Sequence, residues 1–127
     1  MSLLGMPARR PVLQTVYRMR PELYDASDAV GHPTLVVGLD EPRRIALMVT
    51  RTSSWEARGP MSVTHPPAAD LKLERPGWWR LHWIHRVPYM AFADLVDVQV
   101  LGLLDEPTWR RIQIVLGSPR PSRGSGA

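Results

Sequence analysis

The chain has 127 residues, no cysteine and a formal net charge of +4. Its length fits one domain, and the missing cysteines exclude a disulfide framework and a thiolate zinc site. No apolar run approaches the about 20 residues of a membrane-spanning helix, and the N-terminus has no signal-peptide core, so we expect a soluble, cytoplasmic protein. The positive charge favours a polyanionic partner, although an arginine-rich composition can also record a GC-rich genome.

The first part of the chain predicts an arm, three strands and a long loop. Residues 1–10 show no hydrophobic periodicity and should form a flexible arm. Residues 12–19 alternate and predict a strand, whereas residues 20–31 have too little apolar content for a strand and predict a loop. Residues 34–39 and 43–52 predict an antiparallel hairpin, because a proline-containing turn separates them.

Shorter elements follow the hairpin. Residues 61–65 predict a short strand that two prolines stop, and residues 71–73 predict a brief strand or a turn of 3₁₀ helix. Residues 78–86 predict a longer strand, in which Trp79 and Trp83 share one face with Leu81. That shared face predicts that both tryptophans pack in the core.

The last part of the chain predicts a strand, a helix and a tail. Residues 96–103 alternate apolar and polar side chains, as a strand does. Asp105 is a typical helix N-cap, an apolar stripe at helical spacing follows it, and Gly117 should end the helix. Residues 118–127 consist mainly of Pro, Gly and Ser, which predicts a disordered tail.

These elements predict a single domain over residues 11–117 that is mainly β with a C-terminal helix. No helix is predicted between strands, so a parallel sheet is not expected. About five to seven short strands followed by one helix favour a small, partly open β-barrel.

Three short motifs lie at the ends of predicted strands: GHPTLVVG at residues 31–38, MVTRTS at residues 48–53 and LGLLD at residues 101–105. Together they resemble the PemK/MazF family of toxin endoribonucleases. In that family a Gly-x-Arg-Pro-like turn precedes one strand, and a second strand ends in a Thr-Ser pair. A helix follows a strand that ends in a segment like the third motif. The resemblance covers residues 12–117, and it implies an SH3-like barrel.

The resemblance also implies an activity. Family members are metal-independent endoribonucleases that cut single-stranded RNA at selected sequences, and they are the toxins of toxin–antitoxin modules. A homodimer, an acidic antitoxin as partner and the absence of a cofactor are implied with it. The chain departs from the family immediately before the proline of the turn, where His32 replaces an arginine. Either His32 takes over the chemistry, or the protein is a weakened or inactive relative that binds nucleic acid or a protein.

The candidate catalytic residues are His32, Arg51, Thr52 and Ser53. RNA cleavage without a metal needs a group that removes the 2′-hydroxyl proton, a group that protonates the leaving oxygen and donors that stabilise the phosphorane. His32 could move the protons, because the ordinary pKa of histidine is about 6.5. Thr52 and Ser53 match the family's Thr-Ser pair, and Arg51 is added from the sequence alone as a further phosphate ligand.

The residues expected to contact RNA are four arginines and one tryptophan: Arg18, Arg20, Trp55, Arg58 and Arg86. Trp55 lies in a polar loop beside the Thr-Ser pair and is best placed to stack on a base. His82 and His85 raise the question of a metal site. Residues three apart on a strand point to opposite faces, and no third ligand is suitably spaced, so we expect no metal.

Overall fold

The computed structural model of the protein describes residues 10–19, 32–93 and 98–117. The predicted arm apart from Arg10, the predicted loop over residues 20–31 and the predicted tail lie outside these ranges. Within them the chain is mainly β with one C-terminal α-helix, as expected. The elements are β1 (Thr15–Met19), β2 (Pro33–Asp40), β3 (Ile45–Thr52), β4 (Ser62–His65), the 3₁₀ helix η1 (Ala69–Leu71), β5 (Gly77–Arg80), β6 (His85–Pro88), the 3₁₀ helix η2 (Tyr89–Ala93), β7 (Val98–Leu103) and α1 (Glu106–Gly117).

All seven described strands belong to one antiparallel sheet, in which six follow the order β4-β5-β3-β2-β1-β7 and β6 pairs with β3 off this path. The predicted hairpin is confirmed, since β2 and β3 pair from Thr34 opposite Thr50 to Asp40 opposite Ile45. The other edge of β3 is shared: β6 pairs with its first half, and β5 pairs with its last two residues. Within the described ranges the two end strands, β4 and β7, do not pair with each other, so the sheet is not closed.

The sheet is buried on both faces. One core cluster contains Leu35, Val49 and Trp79, and α1 contributes Ile112 to it. The second cluster lies on the opposite face, where Val36 and Met48 pack with residues of η2. Successive side chains of a strand point to opposite faces, so a strand covered on both sides needs an unbroken apolar run. The run LVV in β2 therefore does not alternate between apolar and polar residues.

Helix α1 begins where the sequence predicts. Oδ2 of Asp105 accepts hydrogen bonds from the backbone N of Thr108 at 3.0 Å and from its Oγ1 at 2.7 Å, which is the geometry of an N-cap. The helix turns Trp109 and Ile112 into the core and ends at Gly117, as expected. Among the helices of the described residues, none has both the length and the apolar character needed to cross a membrane.

The strand predicted over residues 78–86 is wrong. Strand β5 ends at Arg80 and β6 begins at His85, with a turn between them. The backbone N of Leu81 donates to the carbonyl oxygen of Met61 at 2.7 Å, where the chain leaves the β5 ladder. Trp79 is fully buried as expected, but the side chain of Trp83 is 39 % exposed. Trp83 lies beyond the end of β5, so the alternation with Trp79 does not carry it into the core.

Gly77 lies at a point of β5 where the structure has no room for a side chain. A Cβ atom there would lie 2.7 Å from Nη1 of Arg51 and 2.7 Å from the carbonyl oxygen of Thr52.

We expect Gly77→Ala to lower the free energy of unfolding by about 1–3 kcal/mol, the usual cost of overpacking. Urea denaturation measures the change. Gly117→Ala is the matched control, because no atom beyond its chain neighbours and its own helix backbone lies within 4 Å of its Cβ position, and it should change stability by less than about 0.5 kcal/mol. Equal midpoints for the two variants would contradict the crowding at Gly77.

Candidate functional site

A buried arginine joins the ends of three strands. Arg51, near the end of β3, is only 4 % exposed. Its Nε donates to Nδ1 of His65 at 2.9 Å, and its Nη2 donates to the carbonyl oxygen of Arg75 at 2.8 Å. Nη2 also lies 3.3 Å from the carbonyl oxygen of His65 and 3.4 Å from that of Pro66. The guanidinium thus holds the end of β4 and the segment before β5 against β3.

This contact determines which nitrogen of His65 carries the proton. An arginine side chain has donors and no acceptor, so Nδ1 of His65 must be unprotonated to receive the hydrogen bond from Arg51. A neutral imidazole then carries its proton on Nε2. Nε2 lies 3.3 Å from Oδ1 of Asp105, close enough for attraction, but no well-aligned hydrogen bond joins the two atoms. His65 is 1 % exposed, whereas the side chain of Asp105 is 45 % exposed.

The surroundings favour a neutral histidine beside a charged carboxylate. Burial lowers the pKa of His65 from its ordinary 6.5, and the positive charge of Arg51 lowers it further, while Asp105 opposes both effects only in part. Burial alone would raise the pKa of Asp105. The hydrogen bonds from the side chain and backbone of Thr108, together with His65, outweigh burial, so the pKa of Asp105 lies below its ordinary value.

A pocket of about 350 Å³ lies beside this pair. His65 and Asp105 supply its polar lining together with Asp70, and Pro66, Pro67 and Leu71 are among its apolar walls. Its volume is at the lower end of the about 300–1,000 Å³ typical of small-ligand sites. A ligand in it can reach the carboxylate of Asp105, whose side chain is partly exposed, whereas Nε2 of His65 is buried.

A second feature lies on the outer side of β5. The Cζ atom of Arg58 sits 3.4 Å from the ring centroid of Trp55, whose ring meets that of Trp78 edge-on at 5.6 Å between centroids. Trp78 and Arg80 share the face of β5 opposite the buried Trp79, and the Cζ atom of Arg80 lies 5.6 Å from the ring centroid of Trp83. We call Trp55, Arg58, Trp78, Arg80 and Trp83 the tryptophan–arginine surface. Trp55 is its most exposed tryptophan, at 58 %.

The predicted catalytic residues come only partly together. His32 is half-buried immediately before β2, and its carbonyl oxygen accepts a hydrogen bond from Thr34 Oγ1. Since Thr34 pairs with Thr50, the start of β2 and the end of β3 lie at the same end of the sheet. Ser53 is exposed there. Thr52 is buried, and its Oγ1 accepts a hydrogen bond from the backbone N of Ser54 at 3.0 Å.

Arg51 does not join this group. Successive residues of a strand point to opposite faces, so the side chain of Arg51 points away from the face of Thr52. Its Nε and Nη2 donors are directed at His65 and at backbone carbonyls of the protein. The catalytic role of Arg51 stays a prediction, and in this structure the side chain serves the fold.

Two of the five predicted RNA-contacting residues lie together, namely Trp55 and Arg58 on the tryptophan–arginine surface. Arg86 is exposed on β6 opposite Leu47, at the other half of β3. Arg18 is half-buried on β1 opposite Pro33 and Gln99. Arg20 lies outside the described residues.

Sequence reasoning did not assign a site role to His65 or Asp105. The sequence predicts Asp105 as a helix cap and His65 as the last residue of a short strand. One signal was available: His65 is a histidine in an alternating strand on the side of the buried Val63, next to two prolines that prevent the ladder from continuing. The meeting of His65 with Arg51 and Asp105 depends on tertiary packing, for which no local pattern exists.

The two histidines considered for a metal are separated by their environments. His82 is exposed and packs against Gly59, and His85 is fully buried with its ring stacked on Trp83 at 5.4 Å between centroids. Across the ranges that the structure describes, no group of three or more His, Cys, Asp or Glu side chains could hold a metal ion.

The lowered pKa of His65 predicts a pH dependence of stability. In the unfolded chain the histidine binds a proton below its ordinary pKa of about 6.5, whereas the folded state resists protonation down to a lower pH. Acidification from about pH 7 to about pH 5 should therefore lower the free energy of unfolding, by up to about 1.4 kcal/mol per pH unit. His65→Gln should flatten this slope in urea denaturation. His82→Gln, which changes an exposed histidine, should keep it. An unchanged slope in His65→Gln would show that His65 is not the titrating group.

Comparison with known proteins assigns no family to the chain. No protein-family model matches the sequence, and no curated protein matches it either. The resemblance to PemK/MazF toxins therefore stays a prediction. Function has to be argued from the two features described above, the pocket beside His65 and the tryptophan–arginine surface.

Proposed function

We propose that the protein binds single-stranded RNA, and that bases stack on the tryptophan–arginine surface. The observation that carries this proposal is Trp55, an exposed indole with a guanidinium on one ring face and a second tryptophan in T-shaped contact with it. An exposed aromatic ring that is already fixed in place loses little entropy when a base stacks on it. Stacking of bases on aromatic side chains is the usual way in which proteins hold single strands.

Charge supports the same partner. The net charge of +4 attracts a polyanion, and the arginines of the surface lie within reach of the tryptophans that would hold the bases. Arg58 is anchored by a hydrogen bond from Nη1 to the carbonyl oxygen of Trp55 at 2.7 Å. A guanidinium placed in this way can contact a phosphate or lie over a base. We also propose that the sheet forms a partly open barrel of the SH3-like class, with the tryptophan–arginine surface on its outer side.

The first test compares two arginine variants and one tryptophan variant. Trp55→Ala should weaken binding of a short single-stranded RNA by roughly 5- to 150-fold, since stacking of one base contributes about 1–3 kcal/mol. Arg58→Ala should weaken it more than Arg110→Ala, which removes the same charge from the exposed face of α1. Fluorescence anisotropy at fixed salt measures the affinities. Unchanged binding by Trp55→Ala would exclude this surface as the RNA site.

A second candidate function is metal-independent RNA cleavage of the PemK/MazF kind. The observation that favours it is the ladder between β2 and β3, which brings the start of one strand and the end of the other to the same end of the sheet. His32 could then move a proton beside the hydroxyl of Ser53. Arg51 would take part only if its guanidinium left its carbonyl partners. Under this proposal the protein is the toxin of a cytoplasmic toxin–antitoxin module.

The partners of this second candidate are a second copy of the chain and an acidic antitoxin. Strand β7 supports the homodimer, because it pairs only with β1 among the described strands and leaves Val100 42 % and Leu103 59 % exposed. An exposed sheet edge with apolar side chains is a surface that a two-fold partner commonly covers. The antitoxin would supply negative charge against the arginines.

His32 decides between cleavage and binding alone. If His32 moves the proton, single-stranded RNA should be cleaved in the presence of a chelator, and His32→Ala should slow cleavage by about 10²-fold or more. His32→Arg restores the residue of the resembled family: higher activity would show that histidine weakens the site, and lower activity would show that the imidazole has taken over. Gel analysis of labelled RNA measures the rate. Intact RNA with the wild type and both variants, together with salt-dependent binding, would reject the enzyme and leave the binding function.

A further inference from the structure

Arg111 of α1 holds the edge of the sheet at β4. Its Nη1 donates to Oγ1 of Thr64 at 3.0 Å, and its Nη2 donates to the carbonyl oxygen of the same residue at 3.1 Å. Nη2 also lies 3.3 Å from Oγ1 of Thr108 in the preceding turn of the helix. Within the ranges that the structure describes, β4 is an end strand of the sheet. The guanidinium is therefore fixed at the rim of the sheet, between α1 and β4.

The positive charge of Arg111 is not balanced by its partners. All of the acceptors that hold it are neutral oxygen atoms. No carboxylate of the described residues forms an ion pair with it, whereas Nε of the neighbouring Arg110 lies 3.8 Å from Oε1 of Glu106. Arg111 is exposed, and a guanidinium has five N–H donors, so some remain for an anion. An anion bound there loses little to the ordering of a side chain that is already held in place.

Thr64 places this guanidinium beside the tryptophan–arginine surface. In the ladder between β4 and β5, Thr64 lies directly opposite Trp78. Residues opposite each other in an antiparallel ladder share one face of the sheet, with Cβ atoms about 4.5–5.5 Å apart. With the 3.0 Å hydrogen bond, Nη1 of Arg111 lies no more than about 10 Å from Cβ of Trp78. The phosphates next to a base that stacks on this surface are within such a distance.

We propose that Arg111 binds a phosphate of the RNA strand whose bases stack on the tryptophan–arginine surface. This inference rests on the proposed RNA-binding function and extends its site around the edge of β4 to α1. The tryptophans contact the ring faces of the bases, and Arg111 contacts the backbone that joins them. Because stacking holds the phosphate close to Arg111, the second contact forms at a high effective concentration. Neither contact depends on the identity of the base.

The test measures how the affinity for an oligouridylate of about eight nucleotides depends on salt, by fluorescence anisotropy. Each phosphate contact of a single strand contributes about −0.7 to the slope of the logarithm of the binding constant against the logarithm of the salt concentration. Arg111→Ala should therefore make the slope less negative by about 0.7. Arg110→Ala, the matched control, removes the same charge from the next residue of α1 and should keep the slope. Trp55→Ala should weaken binding and also keep the slope, because stacking releases no counterion.

Arg111→Lys separates the effect of the charge from an effect on folding. Lysine keeps a positive charge for the phosphate but lacks the planar fork that bonds two oxygen atoms of Thr64 at once. The salt dependence should therefore stay that of the wild type. If Arg111→Ala and Arg111→Lys reduced the slope equally, the cause would be the lost contact between α1 and β4, and the phosphate site would be overturned.

A measurement on the wild type needs no variant to fold. In an NMR titration with the oligouridylate, the Nε–H resonance of Arg111 should shift and that of Arg110 should not. Inorganic phosphate at the same concentration of phosphate groups should shift it much less, and an equal shift would show a general anion site instead of an RNA contact. An unchanged slope in Arg111→Ala would overturn the phosphate site, even where Trp55→Ala shows that the stacking surface is correct. Absence of binding by the wild type would overturn the proposed function and the phosphate site together.

Discussion

The burial of one positive charge organises the part of the molecule that carries the candidate site. Moving a guanidinium out of water is costly unless every donor finds an acceptor, and a buried arginine is rarely left unpaired. Nε and Nη2 of Arg51 find acceptors in His65 Nδ1 and in backbone carbonyls on either side of η1. The segment between β4 and β5 must therefore turn its carbonyl oxygens inward. The position of His65, the tautomer of its ring and the absence of a side chain at Gly77 all follow from that arrangement.

The second constraint is that both faces of the sheet are covered. Helix α1 packs on one face, and η2 packs on the other. Residues that would be solvent-facing in a one-sided sheet are thus apolar in β1, β2 and β3. At β5 the pattern changes, since Trp79 is buried while Trp78 and Arg80 on its other face are only half-buried. The exposed aromatic rings gather where the second covering layer does not reach.

Much of the fold could be predicted because it depends on local rules. The hairpin of β2 and β3 follows from two β-branched runs and a turn, and the start of α1 follows from Asp105 and the stripe behind it. Trp83 could not be placed, because alternation within a sequence does not reveal where a strand leaves its ladder. The contact of Arg51 with His65 joins residues 14 positions apart on different strands. A strand arginine followed by a Thr-Ser pair reads as a surface feature, and only the packing reveals that it is internal.

The same separation between local and tertiary information applies to the site. Trp55 and Arg58 lie three residues apart in one loop, so their contact was within reach of sequence reasoning, and the structure brings them together. His65 and Asp105 are far apart in the chain and meet only because α1 begins beside the end of β4. Alternation also explains why Arg51 and Thr52, adjacent in sequence, do not share a site. Residues that are close in sequence share a site only where the backbone directs their side chains to the same face.

Asp105 belongs to two structures at once, since one carboxylate oxygen caps α1 and the other faces the pocket. Any molecule that draws charge toward Oδ1 must alter the hydrogen bond that Oδ2 receives from the Thr108 amide. Local opening of a helix end is among the lowest-energy fluctuations of a fold, and amide hydrogen exchange reports it residue by residue. The hydrogen exchange rate of the Thr108 amide should therefore change when a ligand occupies the pocket. It can be measured in the native protein without a label or a substitution.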